Sequence, residues 1–283
     1  MTSYGQRGTG LTTTASCLAL ALNYHYGNRV LICDFQGLGS ELDTSELSGL
    51  NRYLTGLGKP GETVDSTFNY ILRMASHGML SRENLKNYTV PISPNGGLDL
   101  TQWSTGGRAI NLKEFFSGES AKALKAVLEL ASNTYDLVIV DLGALDGENL
   151  RSFLNMTPML LLIHVKQDIT YVEQLLRETE QNLSWNFVGI VLGRSIKSVK
   201  GSASQMKRLT RKNWVGHLPT GREIVHCLSE GGLEPFFRRA QSTKGLDAKW
   251  DFIGESIQIA SSVLNWTGRH NDRVNFLKGR SRG

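Results

Sequence analysis

The chain has 283 residues, of which 40% are hydrophobic and 20% charged, and its formal net charge is +5. These values suit one large α/β domain with a sizeable buried core. The longest apolar run, Met159–Val165, is too short to span a bilayer. The three cysteines are far apart with no CxxC pair, which argues against metal ligation and indicates a reducing compartment. No signal peptide fits the N-terminus, so we expect a cytoplasmic protein or one peripheral at the inner face of the membrane.

The charge is divided unevenly along the chain. Up to Gly193 there are 14 basic and 19 acidic residues, a net −5, whereas from Arg194 onward there are 17 and 7, a net +10. Such asymmetry indicates an anionic partner for the C-terminal third. The residues alone leave nucleic acid, anionic lipid and an acidic protein face open as that partner.

The first 35 residues predict a strand, a loop, a helix and a second strand. Residues 1–4 are expected to end a first strand, and Gly5–Gly10 forms a loop. Apolar residues recur at helical spacing over Thr12–Tyr26, and Gly27 with Asn28 is a stop signal. The apolar run Arg29–Phe35 then predicts a buried strand. This order begins a parallel, doubly wound sheet.

The rest of the chain continues the alternation. Further strands are predicted at Tyr135–Gly143, Met159–Val165 and Phe187–Arg194, and at the end of 93–103; helices are predicted within 66–90 and at about Lys113–Ser132, Ile169–Leu183, 221–232 and 248–266. The fold class is therefore α/β, a doubly wound, mostly parallel sheet flanked by helices. We expect one domain over 1–266 and a basic tail over 267–283 that is mobile at its end.

The stretch "YGQRGTGLTTTASCLALALN" has most of what a phosphate-binding loop needs. Gly5, Gly8 and Gly10 allow the backbone amides to turn inward, and a helix N-terminus follows. Thr12 and its neighbour supply hydroxyls in the first helical turn. Leu11 stands where a lysine is expected. The loss of that charge should weaken triphosphate binding and catalysis more than it changes the shape of the loop.

This stretch resembles the deviant Walker A loop of the ParA/MinD superfamily of P-loop ATPases. The matching residues are Gly8, Gly10, Thr12 and Thr13. The lysine with which that family reaches across a dimer falls on Gln6, and the loop lysine falls on Leu11. Arg7, next to the first position, supplies a basic side chain there.

Later motifs resemble the same superfamily in the same order. Asp34 and Asp141 end two predicted strands and match acids that stand near Mg²⁺. Gln36 falls at the acid that positions the attacking water, and an amide cannot accept a proton from that water. "VGIVLGR" and "VGHLPTGREIVHCLSEG" resemble the segments that meet the adenine base, with Gly193 in place of an asparagine.

The resemblance implies a set of site residues. Those implied to hold a nucleotide are Gly8, Thr9, Gly10, Leu11, Thr12, Thr13, Arg194 and Pro219, and those implied to hold Mg²⁺ are Thr12, Asp34 and Asp141. With both lysines and the water-positioning acid absent, we expect impaired hydrolysis and no catalytic residue beyond the altered Gln36. ATP or ADP with Mg²⁺, and no nucleotide at all, remain open as occupants.

The resemblance also implies a role. Members of the superfamily sandwich nucleotides between two subunits, and the dimer then binds DNA, membrane or a protein partner. "YDLVIVDLG" and "SRENLKNYTV…GGLDLTQW" most resemble the CpaE/TadZ branch of pilus-assembly and localisation proteins. We therefore expect a homodimer that positions or scaffolds an apparatus of the secretion or pilus type.

Two basic segments suggest other partners. Arg194–Lys212 holds seven basic residues and no acid, and its candidates for phosphate contact are Lys197, Lys200, Lys207, Arg208, Arg211 and Lys212. The tail "RVNFLKGRSRG" resembles a MinD membrane-targeting helix and suggests an anionic membrane surface. The alternatives are thus a DNA partition protein that binds DNA non-specifically and a nucleotide-independent structural interaction module.

Overall fold

A computed structural model describes residues 1–4, 9–36, 50, 53–54, 67–103, 112–145, 147–156, 159–182, 188–196, 201–219, 222–242 and 251–280. The first helix, α1, spans Leu11–Leu20 and continues into a π-helical turn at Ala21–His25. Gly27, at φ +70, ends this helical stretch, because its backbone occupies the left-handed region that glycine favours. Strand β1 follows at Val30–Asp34, with all five residues buried.

Six more strands follow along the chain. They are β2 at Val90–Pro91, β3 at Leu98–Gln102, β4 at Leu137–Asp141, β5 at Leu161–Val165, β6 at Val188–Ser195 and β7 at Trp214–Pro219. One group of strands has the order β2–β3–β1–β4 and a second has the order β5–β6–β7. Every pairing is parallel except that of β2 with β3.

Residues 1–3 lie between these two groups and join them. On one side the amide of Thr2 donates to Leu162 O at 3.0 Å and Thr2 O accepts from the amide of His164 at 2.8 Å. On the other side Met1 O accepts from the amide of Leu142 at 2.9 Å, and the Met1 amino group donates to Val140 O. The two groups of strands are therefore one continuous sheet with residues 1–3 at its centre.

Ten further helices are described. They are α2 at Thr67–Ser76, α3 at Arg82–Leu85, α4 at Leu112–Phe115, α5 at Glu119–Thr134, α6 at Gly147–Leu154, α7 at Ile169–Asn182, α8 at Ala203–Thr210, α9 at Arg222–Ser229, α10 at Glu234–Ser242 and α11 at Asp251–Arg280. Among the described helices, none is both long enough and apolar enough to cross a membrane.

The sheet has an apolar core on each face. Alternate residues of β1 point to opposite sides, so Val30 and Ile32 join one cluster while Leu31 and Cys33 join the other. The first cluster includes residues of α1, α10 and α11, and the second includes residues of α2, α5, α6 and α7. Helices therefore cover both faces, as the alternating sequence pattern predicted.

The predicted fold class is confirmed, and the differences lie in details. The helix expected at about Lys113–Ser132 is two helices, α4 and α5, separated by a turn at 116–118. Strands β2 and β7 were not anticipated, because β2 has two residues and the apolar residues of β7 are interrupted by Gly216 and His217. The last helix continues to Arg280, through most of the segment expected to form a tail.

Two glycines allow a direct test of the packing. A Cβ at Gly189 in β6 would lie 2.5 Å from Val215 Cγ2 and 2.8 Å from Leu162 Cδ2, so Gly189→Ala should lower the free energy of unfolding by about 1–3 kcal/mol. A Cβ at Gly254 in α11 meets nothing within 4 Å, so Gly254→Ala should raise it by about 0.5–1 kcal/mol. Urea unfolding measures both, and equal effects of the two variants would contradict this account of the packing.

Candidate functional site

The N-terminus of α1 is open to a ligand. Gly10 precedes the helix with φ +90, and no side chain caps this end among the described residues. The amide of Thr14 donates to Gly10 O at 3.0 Å, so the helical hydrogen bonds begin at the fourth residue. The amides of Leu11, Thr12 and the next residue precede that bond and point out of the helix. This geometry suits an anion, as the glycine-rich sequence predicted.

Leu11 contributes no charge to this end of the helix. Its side chain is 7% exposed and belongs to the same apolar cluster as Val191 and Leu218. The position where a loop lysine was expected is therefore part of the core. Leu11 can therefore contribute only its backbone amide to a ligand at the loop.

An arginine from another element lies beside the loop. Arg194 is near the end of β6, is exposed and has φ +48. A Cβ built on Gly10 would lie 3.4 Å from Arg194 Cγ and 3.5 Å from its Nε, so the arginine side chain runs alongside Gly10. Ser195 pairs with Pro219 at the end of β7. Three predicted residues, Gly10, Arg194 and Pro219, are therefore at the same edge of the sheet.

The two predicted metal acids are neighbours. Asp34 ends β1 and Asp141 ends β4, and the parallel register places them directly opposite each other. Asp34 is 3% exposed and Asp141 is fully buried. The amide of Phe35 donates to Asp141 O at 2.8 Å, and that of Gly143 donates to Asp141 Oδ1 at 3.0 Å. The backbone thus holds both carboxyl groups at the carboxyl edge of the sheet.

Gln36 connects this acid pair to α1. Its side-chain nitrogen Nε2 donates to Thr12 Oγ1 at 2.6 Å and to Asp141 Oδ2 at 2.8 Å. Its backbone amide donates to Asp34 Oδ1 at 3.1 Å. Both hydrogens of the side-chain amide therefore have an acceptor. The residue expected near an attacking water is instead bonded to the loop helix and to an acid.

Burial changes the pKa values of the ionisable groups here. Burial, together with the charge of Asp141, raises the pKa of Asp34 to about 8, so this carboxyl keeps its proton at neutral pH. Burial also raises the pKa of Asp141, although hydrogen bonds from Gly143 and Gln36 oppose the shift. Burial lowers the pKa of the Met1 amino group to about 6, against the attraction of Asp141. Each of these three pKa shifts favours the neutral form of its group, so less charge is buried at this edge of the sheet.

Gly143 lets the chain pass close to Gln36. It has φ +60, and a Cβ at this position would lie 3.4 Å from Gln36 Cα. Gly143 O accepts from the amide of Ser3 at 2.9 Å and from Thr2 Oγ1 at 2.9 Å. The turn after β4 is consequently fixed by residues 2–3 on one side and packed against Gln36 on the other.

His164 fills the space behind the loop helix. Its ring is fully buried at the end of β5, and Nε2 lies 2.7 Å from Thr14 Oγ1. A Cβ at Gly193 would lie 1.9 Å from His164 Cε1 and 2.4 Å from Thr9 O. With His164 in this place, only glycine fits at 193. This packing accounts for the absence of the asparagine that the resemblance implies there.

The three metal candidates do not present Mg²⁺ with a suitable set of ligands. Mg²⁺ needs oxygen ligands at about 2.0–2.1 Å in octahedral order. Here Gln36 Nε2 is already hydrogen-bonded to Thr12 Oγ1 and Asp141 Oδ2. No group of three or more His, Cys, Asp or Glu side chains in the described ranges could hold a metal ion. The N-terminus of α1 suits an anion, whereas Thr12, Asp34 and Asp141, as arranged here, do not suit a divalent cation.

The remaining candidates fall into three sets. Thr9 is buried just before α1, and Thr13 is half-buried in its first turn. Of the candidates for phosphate contact, Lys207, Arg208, Arg211 and Lys212 are exposed, on α8 and the 3₁₀ turn at Arg211–Asn213. Gly8, Lys197 and Lys200 lie outside the described residues.

Solved structures with the same architecture span almost the whole chain. A ParA family ATPase from Chlorobium tepidum aligns with a TM-score of 0.60 at 18% identity, over 94% of each chain. MinD of Aquifex aeolicus, in its complex with MinC, aligns with a TM-score of 0.59 at 17% identity, over 93% of this chain and 94% of its own. The chain has the ParA/MinD fold. No protein-family model matches the chain, and no curated protein matches its sequence.

A third structure with the ParA/MinD fold concerns nucleotide binding. A plasmid partition protein of Borrelia burgdorferi, solved with AMPPNP, aligns with a TM-score of 0.59 at 16% identity, over 93% of this chain and 97% of its own. At these identities the likeness establishes the fold. The superfamily resemblance of the sequence is therefore confirmed at the level of the ParA/MinD fold.

Several residues of this site were not anticipated as site residues. His164 lies within the apolar run Met159–Val165, and Gly143 is at the end of the strand predicted at Tyr135–Gly143, so neither stood out as a site residue. Their roles depend on Gly193 and Gln36, which are distant from them in sequence. A histidine within an apolar strand, opposite a strand that ends in Gly-Arg, is the one sequence signal that could have suggested the contact.

His164 generates a prediction about pH. Burial, together with the charge of Arg194, lowers the pKa of His164 to about 3, below the ordinary value of 6.5. Between these values the unfolded chain binds a proton that the folded chain does not, so stability is lost as the pH falls. From pH 6.5 to 4.5, wild type should lose up to about 1.4 kcal/mol per pH unit more than His164→Gln.

Urea unfolding at pH 7.5, 6.0 and 5.0 measures this difference. His77→Gln, at an exposed position, is the matched control and should change with pH as wild type does. A difference between wild type and His164→Gln that stays constant with pH would contradict the assignment of a neutral buried ring.

Proposed function

We propose that this chain is a positioning or scaffold protein of the ParA/MinD type with impaired or absent ATP hydrolysis. It acts in the localisation or assembly of a macromolecular apparatus of the secretion or pilus type. The burial of Leu11 carries the proposal, because this residue replaces the cation that a phosphate-binding loop presents to the transferred phosphate. The chain would work in the cytoplasm or at the inner face of the membrane.

Two further features support the loss of hydrolysis. The side-chain nitrogen of Gln36 is bonded to Thr12 and Asp141, so its two hydrogens are not available to orient a water. An amide also lacks the basicity to accept a proton from water. Loss of a single charge-stabilising group costs about 2.7–4 kcal/mol in the barrier, and this site lacks more than one.

A nucleotide, where bound, would be held through its phosphates and base by this chain's remaining groups. The α1 amides after Gly10 and the Thr13 hydroxyl would contact phosphate oxygens, since they lie at an uncapped helix N-terminus. Arg194 and Pro219 would border the nucleotide on the side of β6 and β7. Without hydrolysis, a bound nucleotide would stabilise a homodimer or a partner complex but would not control when that complex dissociates.

Phosphate release and calorimetry test the proposal together. With ATP and Mg²⁺, turnover should be at least about 100-fold below that of a ParA-type ATPase assayed alongside, as expected when a charge-stabilising group is absent. A comparable rate would contradict impaired hydrolysis. Titration with ADP in the same buffer measures binding directly. If no heat of binding appears, the nucleotide-independent interaction module becomes the better account, and the scaffold role would rest on protein contacts alone.

A second candidate function, non-specific DNA binding, is favoured by the basic cluster. Lys207, Arg208, Arg211 and Lys212 are all exposed and follow one another along α8 and the next turn. Positive side chains at this density contact phosphates irrespective of base sequence. This candidate makes the chain a partition protein.

Charge reversal decides whether the basic cluster binds DNA. The double variant Lys207→Glu, Arg211→Glu should abolish binding to duplex DNA at 50 mM salt. Lys166→Glu, an exposed charge reversal elsewhere, should weaken it little. The logarithm of the wild-type association constant should fall linearly with the logarithm of salt concentration, since bound counterions are released. Absence of wild-type binding at low salt would exclude the partition role.

A further inference from the structure

We propose that the side-chain amide of Gln36 replaces the divalent cation in this fold, so that the site is held together without metal. This inference deepens the proposed function, because it concerns the same site. The ParA/MinD fold implies Mg²⁺ between a hydroxyl of the loop helix and acids at the strand ends. In this chain the amide nitrogen joins Thr12 Oγ1 to Asp141 Oδ2, at 2.6 and 2.8 Å.

The first argument is stereochemical. A cation at this place would have to approach Thr12 Oγ1 and Asp141 Oδ2 to about 2.0–2.1 Å. The Gln36 nitrogen already lies within hydrogen-bond distance of both oxygens and donates one hydrogen to each. Metal binding would require that this side chain leave and that two hydrogen bonds be broken.

The second argument concerns what holds Gln36 in place. Its backbone amide donates to Asp34 Oδ1 at 3.1 Å, two residues before it. On the other side, the turn after β4 packs closely against Gln36. A Cβ added at Gly143, which has φ +60, would lie 3.4 Å from Gln36 Cα. The turn is itself bonded to residues 2 and 3. Gln36 is therefore fixed by backbone contacts as well as by its side chain.

The third argument concerns charge. Asp34 and Asp141 are paired in register and buried, and two adjacent buried carboxylates need donors, protons or a cation. Here the donors are supplied by the chain: the amides of Gln36 and Gly143, and the Gln36 side chain. The Met1 amino group, bonded to Val140 O, adds a further polar group beside Asp141. The acids are satisfied without a metal ion.

The consequence is a fixed relation between α1 and the strand ends. In a site bridged by Mg²⁺, loss of the ion would release the loop helix from the acids. In this chain the same connection is a pair of hydrogen bonds within one polypeptide. The arrangement of the site should therefore be insensitive to divalent ions and to their removal by a chelator.

Gln36→Glu is the sharpest test, because it keeps the shape of the side chain and converts a donor into a third carboxylate. In EDTA this variant should melt several degrees below wild type, since three carboxyl groups then meet. Millimolar Mg²⁺ or Mn²⁺ should restore much of the loss in melting temperature. Wild type should melt at the same temperature in EDTA and in Mg²⁺. Gln241→Glu, the same change at an exposed position, is the control and should respond as wild type does.

Paramagnetic Mn²⁺ locates the ion in nucleotide-free protein. In the Gln36→Glu variant, Mn²⁺ should broaden three backbone amide signals in a ¹H–¹⁵N spectrum: those of Thr12, of the substituted residue 36 and of Gly143. In wild type those signals should stay sharp. Broadening of the wild-type signals, a wild-type melting temperature that rises with Mg²⁺, or a Gln36→Glu variant as stable as wild type in EDTA would each overturn the inference. Since no ATP is added, these outcomes are independent of the hydrolysis and ADP-binding measurements.

Discussion

Two carboxyl groups buried side by side at the edge of the sheet are the constraint on which this site depends. Asp34 and Asp141 are adjacent because β1 and β4 are parallel neighbours in register. Burial makes the charged forms costly, so the surrounding backbone must supply donors and one acid keeps its proton at neutral pH. The turn after β1 supplies the Gln36 amides, and the turn after β4 supplies the Gly143 amide. The first turn of α1 is connected to the acids through Thr12, which bonds to Gln36.

Differences from the ParA/MinD pattern in this chain are linked by contacts rather than scattered. Gln36 bonds to the loop helix and to Asp141, while His164 occupies the space that a side chain at position 193 would need. Leu11 extends the apolar core into the place of a cation. Two of these contacts meet on α1, because Gln36 bonds to Thr12 and His164 bonds to Thr14. A lysine at position 11 would have its side chain beside an apolar cluster.

The sequence predicted the architecture well because apolar runs report burial directly. Strands β1, β4, β5 and β6 each contain a run of apolar residues, and a parallel strand buried on both faces requires such a run. β2 was not predicted because two residues carry no periodicity, and β7 was not predicted because its apolar residues are interrupted. The split between α4 and α5 depends on the turn at 116–118, where local turn geometry overrides a continuous helical pattern.

The site was predicted as a set of positions, and its chemistry was predicted only in part. The order of Gly10, Thr12, Asp34 and Asp141 along the chain indicated which residues would meet, because strand ends and the loop helix share one edge of the sheet. That Gln36 would bond to both Thr12 and Asp141 depends on distances between side chains far apart in sequence. The same holds for His164 and Gly193, where an added Cβ would lie 1.9 Å from His164 Cε1.

The central position of residues 1–3 has a consequence for the order in which the chain folds. These residues bond to Val140, Leu142 and Gly143 on one side and to Leu162 and His164 on the other. During synthesis they leave the ribosome well before their partners, which emerge about 140 to 160 residues later. β1, β3 and β4 can pair before β5 exists, so the nascent chain holds an unfinished sheet edge until residue 164 appears. Such long-range closure makes completion of the sheet a late and slow event, and exposes that edge to other proteins meanwhile.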